Sequence, residues 1–83
     1  MNKNFVSWNL EEAKEAITAI LTALKDDVEY DYPEYSVDMQ HLYNHINMAW
    51  NARDATEEQA TACKDEDFSR WGQLPQDLPM FTD

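Results

Sequence analysis

The chain has 83 residues, room for one domain, and its 17 acidic against 6 basic residues give a formal charge of −11. That balance argues against direct nucleic-acid binding, because affinity for phosphates comes from neutralising them with Lys and Arg, and it disfavours anionic membranes for the same reason. A domain this small has a marginal core, which three Trp, four Tyr and three Phe residues help to fill.

The opening, Met1 to Phe5, holds no apolar run of signal-peptide length, and the longest such run, Ala19-Ile20-Leu21, is far short of a membrane span. Cys63 is alone, so no intrachain disulfide can form. A cytoplasmic protein is expected.

In chain order, the first helix is expected at about residues 10–25. Asn9 and Glu12 have capping-box spacing, with Ser7 as an alternative cap. Leu10, Ala13, Ile17, Ile20, Leu21 and Leu24 then recur every three or four residues as one apolar stripe. Asp26 to Tyr35 contains no basic residue, and Pro33 pushes Tyr32 toward extended backbone, so an extended acidic connection is expected there. A second helix is expected after Ser36, ending near Asp54, with Val37, Met39, Leu42, Tyr43, Ile46, Ala49, Trp50 and Arg53 on a broad stripe. Thr56 and Gln59 form another capping-box spacing and open a third helix. Asp65 caps a short fourth, closed by Gly72 in the left-handed conformation that often follows a helix end. The tail after Gly72 is too proline-rich for a helix, and Leu74, Leu78, Met80 and Phe81 make it apolar enough to lie over the core. The fold class is therefore all-α. Residues 1–83 form a single acidic domain, a small bundle of three helices plus a short fourth, with an extended acidic connection and an apolar, Pro-containing C-terminal tail.

No catalytic constellation emerges, and no cofactor is implied. His41 and His45, four apart on the second helix, share a face and are weak candidates for a metal. Leu42, however, stands where a metalloprotease motif needs Glu. Two boundary histidines are the simpler reading. Cys63 reads as a small apolar thiol. The chain has a single glycine, too few for a phosphate-cradling loop.

The distinctive segment runs from Asp26 to Asp38, with six carboxylates and three tyrosines. In an extended chain Glu29 and Asp31 would project to one side about 6.6 Å apart, on the order of the spacing of neighbouring phosphates. Tyrosines add rigid contact area with a polar tip. Asp26, Asp27, Glu29, Tyr30, Asp31, Tyr32, Glu34 and Tyr35 are accordingly the expected partner-binding residues. In size, charge and this mixture of acid and tyrosine, the chain is similar in type to small phage anti-defence proteins and to the acidic helical immunity proteins that neutralise nuclease toxins. That likeness of class implies an inhibitor or decoy. Such a protein would occupy the basic nucleic-acid groove of a nuclease, a CRISPR or restriction effector, or a DNA-binding protein. The alternative is a small adaptor or accessory subunit that docks through an apolar helix face and the C-terminal tail. Exposed apolar surface or a homodimer in isolation would support this second reading.

Overall fold

The computed structural model describes residues 1–79, and all regular structure within them is helical: α1 Lys3–Asp26, α2 Tyr32–Asn51, α3 Glu57–Ala62 and α4 Asp65–Trp71. The all-α expectation holds, and several boundaries move. Helix α1 begins at Lys3, seven residues earlier than the Asn9–Glu12 spacing suggests. Asn2 is the true cap. Its side-chain oxygen accepts from the Phe5 N–H at 3.0 Å, its Nδ2 donates to the Ala55 carbonyl at 2.9 Å, and its own N–H donates to the Arg53 carbonyl at 2.6 Å. This one residue starts α1 and ties it to the turn beyond α2. Asn9 lies inside the helix and is fully buried.

Helix α2 also begins early, at Tyr32 rather than after Ser36. Pro33 sits in the first turn, where its missing N–H costs nothing and its fixed φ suits a helix. The expected extended connection therefore shrinks to residues 27–31. This turn is held by Asp27, whose carboxylate accepts from the Glu29 N–H and whose carbonyl accepts from the Tyr30 N–H.

Helices α1 and α2 form an antiparallel hairpin, and contacts between its two arms bury Ala13, Ile20 and Leu42, with Ala16 and Met39 against them. A second cluster, Met48, Ala52 and Trp71, joins α2 to α4 and gathers Phe5, Ala55 and Cys63. Between the clusters sits a polar layer of Asn9 and His45, with Asn9 Oδ1 3.1 Å from His45 Nδ1. Helix α3 carries the expected capping box: Thr56 Oγ1 accepts from the Gln59 N–H, and Gln59 Oε1 accepts from the Thr56 N–H.

The residue with a left-handed conformation is Cys63, at φ 39°, not Gly72, which has φ −78°. Lys64, not Asp65, precedes α4 as its cap. Gly72 is needed for closeness instead. A Cβ there would stand 2.5 Å from Asn44 Oδ1 and 3.2 Å from the Phe68 carbonyl oxygen.

The tail does fold back over α2, but polar bonds hold it. Asn51 Nδ2 donates to the carbonyls of Trp71 and Gln73, while Asp77 accepts from Trp50 Nε1 at 2.8 Å and from Arg53 at 3.2 Å. Leu74 and Leu78 remain exposed, so the apolar lid expected here is not formed by those residues. Met80 and Phe81, the other half of the expectation, lie outside the described residues.

Candidate protein-binding site

The expected acidic site is gathered at one end of the hairpin. Asp26 ends α1, Asp27 and Glu29 lie in the turn, Asp31 precedes α2, and Glu34 sits in the first turn of α2, where a carboxylate favours the helix dipole. The tyrosines do not share one role. Tyr30 donates its hydroxyl to Asp38 at 2.7 Å and packs edge-on against Tyr35, the ring centroids 6.4 Å apart. Partial burial, that hydrogen bond and the charges of Asp38 and Glu34 push the Tyr30 phenol up to about 12. Tyr30 is thus committed to the fold. Tyr32, 80% exposed, and Val28, fully exposed, project from the same end.

The sequence reading missed a second feature. An open groove of about 360 Å³ runs between the start of α1, the middle of α2, and helices α3 and α4. Phe5, Trp8, Met48, Cys63 and Phe68 give it an apolar lining, and Glu57 stands on its rim. Its size is that of a ligand or side-chain pocket. Phe5 and Trp8 are stacked, with centroids 6.2 Å apart and planes 3° from parallel, while His45 meets the Trp8 ring edge-on. Trp71 supports Phe5 from beneath, edge-on at 5.7 Å. The groove is thus built on the second core cluster. Trp8 is 51% exposed and Phe68 47% exposed, which is high for rings of this size beside a core. The signal was Phe5 and Trp8 at i, i+3 spacing, hidden because the helix was expected to begin after them.

The histidines fall apart as a pair. Their ring centroids are 6.3 Å apart, but His45 is bonded to Asn9 and His41 is exposed. Among the described residues no three His, Cys, Asp or Glu side chains cluster as a metal site would require. Cys63 is partly buried on the groove wall. Comparison with protein-family models, with curated proteins and with solved structures finds no match to this chain. Its surfaces alone therefore carry the functional reading. No helix among the described residues is long and apolar enough to cross a membrane.

Proposed function

We propose that this chain is a non-catalytic binding module for a basic protein, and that it seats a large apolar side chain of that partner in the Trp8–Phe68 groove. The observation that carries this reading is the half-exposed pair of rings, Trp8 and Phe68, on the walls of an apolar groove of about 360 Å³. Aromatic anchors that meet a pocket dominate binding energy at interfaces. Glu57 on the rim, with exposed Glu58, Asp65 and Glu66 on the same two short helices, favours Lys and Arg beside the anchor. The net charge of −11 speeds encounter with such a partner.

The test is a titration with a synthetic Lys/Arg-rich peptide bearing one Leu or Trp anchor, read by amide chemical-shift mapping. Shifts should centre on Trp8, Thr61 and Phe68 and vanish when the anchor is Ala. Shifts that ignore the anchor, or that avoid these residues, overturn the reading.

A second reading places a nucleic-acid-binding protein's basic groove on the hairpin end, with this chain as inhibitor or decoy. Five carboxylates gathered there, with Val28 and Tyr32 projecting beside them, favour it. Its test is the triple neutralisation described in the Discussion.

A further inference from the structure

Much of the apolar stripe on each arm of the hairpin does not enter the core. On α1, Leu10, Ile17, Leu21 and Leu24 are exposed, Leu21 by 61%, while Ala13 and Ile20 are buried. At about 100° per residue, the exposed four lie roughly 80° further round α1 than the buried positions. On α2, Tyr43 and Ile46 are exposed and lie displaced in the same rotational sense from buried Leu42 and Ala49. Because the helices run antiparallel, the same sense of rotation brings both stripes to one side of the pair. The Asn2–Arg53 and Asn9–His45 bonds fix the register. That register sets Leu10 level with Ile46, Ile17 with Met39, Leu21 with Tyr35 and Leu24 with Tyr32. The result is one continuous apolar face, on the side of the hairpin away from the groove.

We propose that a second copy of this chain covers this face, two hairpins pairing about a twofold axis as a four-helix bundle. Charge points to a copy of itself. Helical phase places none of the acids of α1 and α2 on the face, and Asp77, at the Trp50 end of α2, is engaged by Trp50 and Arg53. The α1 edge of the face instead carries Lys3, Lys14 and Lys25, spaced by 11 residues and so on one line. The acids of α1, Glu11, Glu12 and Glu15, turn away from it. The acidic protein thus has one surface to which neither arm of the hairpin contributes an acid, and on which two copies can meet.

Area agrees. From the fractional exposures of these side chains, the face offers on the order of 700 Å² per protomer, or about 1,400 Å² in a pair, within the range of specific interfaces.

Of the two twofold arrangements, the one that lays α1 over the partner's α2 is favoured. It sets each lysine line against the other copy's uncharged tyrosine edge, where laying α1 over α1 would align lysine with lysine. The groove stays open on the far side, so the pairing does not depend on the function proposed for it.

The experiment is light scattering coupled to size-exclusion chromatography on the whole chain at 10–100 µM (roughly the range in which μM dissociation constants show), with thermal melts across the same range. The wild type should have twice the mass of the chain, 9.7 kDa, and a melting temperature that rises with concentration. Ile17→Glu and Leu21→Glu should each run as a monomer with helical circular dichroism retained. Should they unfold instead, the concentration-dependent melt of the wild type carries the same inference. A wild-type monomer at 100 µM, with a melt independent of concentration, overturns the proposal. So does a dimer that persists in both folded variants.

Discussion

Asn9 offers the sharpest test of how the hairpin is held. It is the most deeply buried of the described residues, at 0% exposure, and it is polar. Its Nδ2 donates to the Phe5 carbonyl at 3.1 Å, which leaves Oδ1 facing His45 Nδ1 at 3.1 Å. Oδ1 can only accept, so Nδ1 of His45 must carry a proton. Replacing Asn9 with Ala removes both bonds, at about 0.5–1.5 kcal/mol each, and leaves a small void. His45 is only partly buried and can turn to water, so its desolvation penalty stays low. The expected loss is therefore about 2–3 kcal/mol, which for a chain of this length lowers the melting temperature by roughly 10–20 °C. Urea unfolding of the wild type, Asn9→Ala, His45→Ala and the double variant forms a cycle that isolates the Asn9–His45 bond, with an expected coupling of about 1 kcal/mol. Nitrogen NMR should find the His45 proton on Nδ1. A coupling indistinguishable from zero, or a neutral ring protonated only on Nε2, refutes the polar layer as a structural tie.

Gly72→Ala should destabilise by about 1–3 kcal/mol, because the new methyl crowds Asn44 and the Phe68 carbonyl. Adding Asn44→Ala should recover part of that loss in the same melts. Asp77 is held below its ordinary value by the bonds from Trp50 and Arg53. Its contribution is therefore present above the unfolded carboxylate range and is lost as pH falls through the folded value. Acid titration of the wild type should change Trp50 fluorescence before the fold unfolds, and Asp77→Asn should remove that step. Tyr30 has the opposite sign: its raised pKa of about 12 means that its bond to Asp38 contributes fully below the free phenol value and fades as pH rises through the folded one. Tyr30→Phe should abolish this alkaline loss. Glu29→Gln, Asp31→Asn and Glu34→Gln together should slow association with a basic nucleic-acid-binding protein and flatten its salt dependence, with circular dichroism unchanged. Unaltered binding would remove the decoy reading.

The legible parts of the fold were those whose chemistry is local. Thr56 and Gln59 satisfy each other's backbone within one turn, so their spacing alone places the start of α3. Asn9 and Glu12 show the same spacing, yet there the bond donor to Asn9 is His45, 36 residues away, and the competing cap at Asn2 is secured by Arg53 and Ala55. Those partners are known only once the chain has folded. Gly72 and Cys63 show the same limit. A glycine past a helix end suggests left-handed backbone, but its actual need is room for Asn44, and the left-handed position falls to a cysteine. For the site, the acids from Asp26 to Glu34 were legible as one segment, which the hairpin turn gathers. The sequence could not show that Tyr30 is engaged by Asp38, nor that Phe5 and Trp8 belong to α1 and wall a groove. The stripe from Leu10 to Leu24 was legible as apolar. Periodicity cannot say whether the surface that buries it belongs to the same chain.

The two proposed surfaces respond to salt in opposite directions, which separates them without any mutation. Each protomer carries a charge of −11, so two copies repel at long range although α1 and α2 contribute no acid to the faces that touch. Raising ionic strength from about 0.05 to 0.5 M shortens the screening length severalfold and weakens that repulsion, while contact between apolar side chains is not screened. Self-association should therefore tighten with salt. Binding of a basic peptide at the groove should loosen over the same range, because attraction to the acids is screened and only the anchor's burial remains. Sedimentation and peptide titration in the same buffers read both. A dimer that dissociates as salt rises would mean that ion pairs, not the apolar hairpin face, hold it together. Peptide binding indifferent to salt would leave the groove as an apolar site with no preference for a basic partner.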